Sequence, residues 1–406
     1  MKRRDFLNAV LLGTGMPLAG LNRQVIASVD SQLGNTGGSR ASTNRRLVLV
    51  ELAGANDGLN TLVPFTNDHY HRLRPTIGLT AEQVIALDDS LGMHKALQPL
   101  MPLWERGELA WIQGLGYPKP SRSHFKSIAL WENAGDGTAS PDSEGWMTHA
   151  VEHQLARAGN DPHGISLSGS MSLFASDSGR WLTARSVNEL LHKTPTVQSV
   201  KTSTHATLGL LQRRLQSLDS TLNSIAVKLE AQTSRHALPA FDGGGFGEQL
   251  RQVATLIAAG LDTPVYRVQL KGFDTHDKQP DRHRKLLKTL AQGLAGFSAT
   301  MRDMNEWNNT LVMSYSEFGR RAQENRSSGT DHGAAAPHLL MGGSVTGGLY
   351  GAAPDLADLL DGDPQFTMDY RALYHSTLVD GLGAERESNK LKTYRDSRLR
   401  GLFDRV

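Results

Sequence analysis

Four short stretches of this 406-residue chain carry the side chains best suited to chemistry, and each follows an apolar run. Asn56-Asp57 comes after Arg46–Leu52, and Ser121-Arg122-Ser123-His124 comes after Leu109–Gln113. Asp274-Thr275-His276-Asp277 comes after Pro264–Leu270. Glu317, Arg320-Arg321 and Asp331-His332-Gly333 come after Thr310–Tyr315. Carboxylate oxygens mixed with imidazole nitrogens suit zinc, manganese or magnesium-like ions. A pair of such ions can activate a nucleophile and hold the departing oxygen of a phosphate or sulfate ester. Arg122, Arg320 and Arg321 offer planar, bidentate donors to anionic oxygens.

Each stretch also has an ordinary structural use. Asp57 in an Asn-Asp-Gly turn is a frequent turn former, and Ser121 or Ser123 can cap the helix that they open. Asp274-Thr275-His276 reads equally as a loop built on an Asx turn. Asp331-His332-Gly333 is the hardest to dismiss, because a Ser327-Ser328-Gly329-Thr330 lead-in delivers adjacent carboxylate and imidazole groups. His69, His71, His149, His153, His192 and His205 stand in polar surroundings and read as solvated.

The elements that must position these residues are legible in the apolar pattern. Arg46–Leu52 is a continuous β-branched and leucine run, the pattern of a strand buried on both faces. Leu109–Gln113, Pro264–Leu270, Thr310–Tyr315 and Pro337–Met341 follow as further strands. Helical periodicity covers residues 121–133, 206–232, 246–260 and 282–307, whereas residues 140–200 are mixed and rich in Gly and Ser. Strands alternating with helices predict an α/β fold with a mostly parallel sheet covered on both faces. In such a sheet the loops past the strand carboxyl ends converge on one edge, where ligands bind. All four stretches would meet there.

Together, several motifs resemble a known family. They are Leu52-Ala-Gly-Ala-Asn-Asp-Gly-Leu-Asn-Thr61, Leu91-Gly-Met-His94, Arg122-Ser-His-Phe125, Phe273-Asp-Thr-His276, Ser316-Glu-Phe-Gly-Arg320 and Thr330-Asp-His-Gly333. They resemble the bacterial domain-of-unknown-function 1501 family, from roughly Arg46 to the C-terminus. That family is similar to a distant branch of the alkaline phosphatase and sulfatase superfamily, which implies a three-layer α/β domain over residues 45–406. The resemblance implies Asp57, Asp331 and His332 as metal ligands, Asp274 and His276 as ligands of the other metal, and Ser123 as nucleophile. Arg122 and Arg320 join it as the expected catalytic arginines. The Asp-Thr-His spacing is narrower than is common in the superfamily, and His338 is the candidate for its last histidine. One or two divalent ions (zinc, manganese, calcium or magnesium) fit this pattern.

What the resemblance implies is a metal-dependent hydrolase of phosphate or sulfate esters, acting on a small-molecule or polysaccharide ester. The rival reading is a secreted binding or surface-assembly protein that keeps the fold without turnover. Composition narrows the setting. There are no cysteines, hence neither disulfides nor thiolate chemistry. With 43 basic and 41 acidic residues and no basic stripe, nucleic acid is not an expected partner. Beyond the leader, no apolar segment reaches membrane-spanning length.

Residues 1–27 read as a leader: Lys2-Arg3-Arg4 precede Phe6-Leu7 and a short, mildly apolar run from Ala9 to Leu21. The paired arginines resemble the twin-arginine motif that hands folded proteins to their translocase, which places the mature protein in the periplasm or outside the cell. Residues 28–44, polar and rich in Gly and Ser, read as a flexible linker. Replacing Arg3 and Arg4 with lysines keeps the charge but removes the guanidinium groups, so precursor should accumulate in the cytoplasm on cell fractionation. Normal export of that variant would rule out the twin-arginine route.

Overall fold

The computed structural model describes residues 45–135, 145–155, 159–168, 180–192, 206–233, 238–384 and 391–403. The expected leader and linker lie outside them, as do His149, His153, His192 and His205 as side chains. The central sheet contains β1 (Arg46–Ala53), β2 (Leu109–Gly116), β3 (Gly164–Ser166), β4 (Trp181–Thr183) and β5 (Val265–Lys271). It continues with β6 (Thr310–Tyr315), β7 (Ala336–Gly342), β8 (Gly348–Tyr350) and β9 (Met368–Asp369). Their order across the sheet is β8-β2-β7-β6-β1-β5-β3-β4, with β9 also paired to β2. β1 pairs in parallel with both β5 and β6, and only β7 runs antiparallel, against β2 and β6. The α/β architecture and the five strands expected from the sequence are therefore present.

The alternating pleat of β1 explains its unbroken apolar run. Val48, Val50 and Leu52 face one side, where they share a core with α3 (Gly244–Ala258) and α4 (Gln279–Asp303). Leu47 and Leu49 face the other, packed with α1 (His124–Asn133) and α5 (Tyr370–Ser376). The long helix α2 (Ala206–Thr233) adds Leu222, Ile225 and Leu229 to the first layer. A strand covered on both faces has no polar side, so the residues that break the pattern mark special duty. Glu51 is one of them. It pairs with Arg267, which also contacts Glu132 at 2.9 Å and Tyr315 Oη at 2.8 Å, and all four groups are buried. Burial raises the Glu51 carboxyl against the pull of Arg267.

The short strands β3, β4, β8 and β9 carry no clear pattern, because two or three residues cannot display a period. No helix among the described residues is long and apolar enough to cross a membrane.

His338 lies in β7, 1% exposed, with Trp131 edge-on at 5.2 Å and Ser314 Oγ at 3.5 Å. Burial pushes its imidazole down to about 3, so the native state keeps it neutral. The unfolded chain protonates the same group near the ordinary value of about 6.5. The stability it carries is therefore complete above pH 6.5 and is lost as the pH falls toward 3. In His338→Gln, the pH dependence of urea unfolding between pH 6.5 and 4 should be shallower by up to about 1.4 kcal/mol per pH unit. Identical slopes for the two proteins would show that His338 does not titrate on unfolding.

Candidate metal centre

At the carboxyl edge of the sheet, three loops bring imidazoles around one carboxylate, that of Asp274. Its Oδ1 lies 3.1 Å from His276 Nε2 and 3.3 Å from His332 Nε2, and its Oδ2 lies 3.7 Å from His124 Nε2. The Nε2 atoms of His276 and His332 are themselves 3.0 Å apart. His124, Asp274 and His332 can each offer a ligand atom, all within 4.8 Å of one another. His124 opens α1 after β2, Asp274 and His276 follow β5, and His332 ends the short strand Thr330–His332 after β6.

The far nitrogen of each ring decides what the near one can do. His124 Nδ1 meets Glu317 Oε1 at 2.8 Å, His332 Nδ1 meets the Arg122 carbonyl at 2.9 Å, and His276 Nδ1 meets Asp331 Oδ1 at 3.3 Å. All three partners only accept, which a neutral ring with its proton on Nδ1 satisfies, and Asp274, which faces each Nε2, only accepts as well. In that tautomer each Nε2 turns a bare lone pair toward Asp274. In the same tautomer the lone pairs of His276 and His332, 3.0 Å apart, repel unless a cation sits between them. In a tetrahedral zinc site with bonds of about 2.0–2.1 Å, ligand atoms stand roughly 3.3 Å apart, close to the contacts of His276 and His332 with Asp274 and with each other. The set His124, Asp274 and His332 spreads over as much as 4.8 Å. Histidine ligands backed by carboxylates or carbonyls are the usual outer arrangement of metal sites. The residues fit a divalent ion.

Charge within the cluster is tuned to match. Burial works to raise the Asp274 carboxyl, but the hydrogen bond and charge of Arg320 hold it below the ordinary range. Burial likewise opposes Glu317, whose hydrogen bonds from His124 and the amides of Gly54 and Ala55 keep it ionised. The hydrogen bond to Glu317 raises His124, whereas burial lowers His332 despite its bond to the Arg122 carbonyl. Phe318, buried, packs against both rings at centroid distances of 5.0 and 4.7 Å. The Asp274 side chain stays 47% exposed and that of His276 44%, so one side of the cluster faces solvent.

The first loop touches this cluster through backbone, not through its carboxylate. Gly54 has φ +114°, and a Cβ there would stand 2.3 Å from the Asp274 amide. Only glycine allows that approach. Residues 44–380 match the family described as "Protein of unknown function (DUF1501)".

The chain belongs to this DUF1501 family.

No curated protein matches the sequence. Solved structures with a similar course include a sulfatase from a Pseudoalteromonas species. It shows 12% identity and TM-score 0.40, over 85% of this chain and 69% of that one. A protein of the alkaline phosphatase superfamily from Vibrio parahaemolyticus shows 10% identity and TM-score 0.35, over 86% and 68%. Alkaline phosphatase from the Antarctic bacterium TAB5 shows 10% identity and TM-score 0.32, over 75% and 94%. Likeness at this level is one of distant shape and says nothing about chemistry.

Of the residues expected in a site, this DUF1501 protein gathers Asp274, His276, Asp331 and His332. Asp331 stands behind His276, and Asn325 Nδ2 donates both to its carboxylate and to the His276 carbonyl. Asp57 takes no part. It is wholly buried, caps the turn Gly58–Asn60, and accepts from Leu59 N, Gln279 Nε2 and Arg74 Nη1, the last at 2.6 Å. A guanidinium thus occupies the side of that carboxylate where a metal was expected. Arg320 is also buried, its side chain 0% exposed, and donates to the carbonyls of Gly54, Ala55, Phe273 and Thr330 as well as to Asp274. It positions the loops and cannot reach a substrate.

Ser123 stands at the N-cap of α1, exposed, its hydroxyl making no capping bond. Ser121 is not the cap, although its hydroxyl accepts from the Ser123 amide at 3.3 Å. Sequence reasoning set His124 and Glu317 in the chemistry-bearing stretches but gave neither a role as ligand or anchor. The Arg-Ser-His-Phe motif contained the signal, but the hydroxyl was favoured over the imidazole beside it. Glu317→Gln keeps the shape of the His124 anchor and removes its charge. Affinity for zinc, measured by chelator competition, should fall by about 10–100-fold. An unchanged affinity would show that Glu317 does not back a ligand.

Proposed function

We propose that this protein is an exported, metal-dependent hydrolase of phosphate or sulfate esters. The observation that supports it is the convergence of three imidazole Nε2 atoms on the Asp274 carboxylate at an open sheet edge. A divalent ion held by His124, His276, His332 and Asp274 would supply Lewis-acid stabilisation of the ester's anionic oxygens. The chain's own residues do the rest. Ser123, one position before a ligand, presents a free hydroxyl at the start of α1, where unpaired backbone amides favour negative charge. In this reading Ser123 Oγ bonds to phosphorus or sulfur as the bond to the ester oxygen breaks, and the hydroxyl proton ends on that departing oxygen, which leaves as an alcohol. Water then releases phosphate or sulfate and restores the hydroxyl. Arg122, 43% exposed and held by Asp363 at 2.5 Å, pairs with the oxygens of the reacting group.

The same geometry favours one ion per chain. Asp57 is committed to Arg74, and the candidate ligands of all three contributing loops crowd around a single carboxylate. Elemental analysis of protein purified without chelator should give about one zinc-, manganese-, calcium- or magnesium-class ion per chain. Asp274→Ala and His332→Ala should release it and lower the melting temperature, since an ion bound only to the native state stabilises that state. Ser123→Ala should keep the ion but lose aryl phosphate or aryl sulfate hydrolysis by at least about a hundredfold. Wild-type protein with no ion, and no thermal shift on adding one, would remove the basis for a hydrolase.

A further inference from the structure

Two surface segments meet beside the cluster through a single buried carboxylate. Asp363, in the hairpin of Leu359–Leu360 with Asp363–Pro364, has a side chain only 5% exposed. Its Oδ2 takes Arg122 Nη2 at 2.5 Å, and its Oδ1 lies 3.5 Å from Arg321 Nε with no hydrogen bond of its own. Arg321 Nη2 is further held by the Asp361 carbonyl at 3.0 Å. Both guanidiniums remain well exposed, at 43% and 36%, although their positions are set from below. Both also border the cluster. The Arg122 carbonyl anchors His332, and the charge of Arg321 reaches Asp331.

The same two segments carry exposed apolar side chains. Among the described residues, the exposed large hydrophobics are Phe125 at 89%, Leu360 at 63% and Val227 at 57%. Phe125 follows Arg122 by three positions, and Leu360 precedes Asp363 by three. Lys126, also exposed, adds a third cation, and the exposed carboxylates at the hairpin are Asp358 and Asp361. An exposed aromatic ring three residues from a braced guanidinium suits the apolar face of a sugar ring that bears anionic groups. Guanidiniums already held in place lose little freedom on binding.

We propose that this rim binds an anionic polysaccharide carrying more than one sulfate or phosphate ester, with a sugar ring on Phe125 and a neighbouring ester group on Arg321. The inference rests on the hydrolase reading for the ester at the cluster, and it adds the class of polymer that presents that ester. Asp363 sets the spacing, because one carboxylate holds both Arg122 and Arg321.

The test is calorimetry on ion-loaded, full-length protein at about 0.15 M salt, where long-range attraction is screened. Dextran sulfate, phosphorylated dextran and unmodified dextran serve as probes. One charged polymer should bind at least about tenfold tighter than dextran, and which one identifies the ester. Arg321→Gln and Phe125→Ala should each weaken that binding by at least about tenfold, with the bound ion retained. Lys288→Gln, on exposed α4 surface, should leave it unchanged. Binding that ignores both rim variants, or falls equally with Lys288→Gln, would overturn the proposal. So would failure of the wild type to bind either charged polymer. Polymer binding without any ester turnover would sink the hydrolase reading and leave the rim standing. Aryl ester turnover without polymer binding would do the reverse.

Discussion

The cluster depends on one buried cation, Arg320. Its guanidinium takes carbonyl oxygens from Gly54 and Ala55 in the first loop, from Phe273 in the third, and from Thr330 in the fourth, then adds Asp274 itself. A guanidinium without solvent is costly unless its hydrogen-bonding demand is met, so the loops have little freedom to retreat from it. Their mutual approach at the sheet edge follows from that demand, as does the direction of the Asp274 carboxylate. A charge that solvent cannot reach does its work on the protein alone.

Two other buried ion pairs divide the molecule in the same way. Arg74 and Asp57, both 0% exposed as side chains, tie the first loop to Gln279 at the start of α4 and to the backbone of Ala322 and Arg321. Arg267, between Glu51 and Glu132, ties β5 and β1 to α1. Removing one partner of such a pair strands the other, which is far costlier than the pair is stabilising. These networks account for the polar residues that interrupt otherwise apolar strands. They hold the ends of β1 and β5 where the loops depart, and so they fix the frame in which His124 and Asp274 meet.

Around that frame the histidines are ordered by what lies behind them. A carboxylate stands behind His124, another behind His276, and a backbone carbonyl behind His332. The difference matters electrostatically, because a carboxylate makes its ring a stronger donor to a cation than a carbonyl does. Glu317 is the best insulated of the three anchors, held by the Gly54 amide at 2.8 Å and by Ser316 Oγ at 2.9 Å. Asp331 is open to solvent. The cluster therefore has a rigid inner side at His124 and an accessible side at His276.

Much of this was legible in the residues themselves. Apolar runs at 46–52, 109–113, 264–270, 310–315 and 337–341 marked the strands of a parallel-type sheet, since a strand buried on both faces must be apolar throughout. Strand order in the chain then placed Asp274, His276 and His332 on one edge. The reversed direction of β7 was not legible, because a fully apolar strand carries no mark of its polarity. Nor were the roles of Asp57 and Arg320. Both belong to motifs that read as catalytic, yet a carboxylate is a ligand or half of an ion pair according to what stands opposite it. Arg74 comes 17 residues after Asp57 and Arg320 comes 46 after Asp274, so no local pattern announces either pairing. The sequence by itself determined which chemical groups reach the sheet edge, through burial and periodicity. Only the tertiary structure decided which of them gather into the cluster and which are committed to a buried guanidinium, because that choice is made by contacts a few ångströms long between residues far apart in the chain.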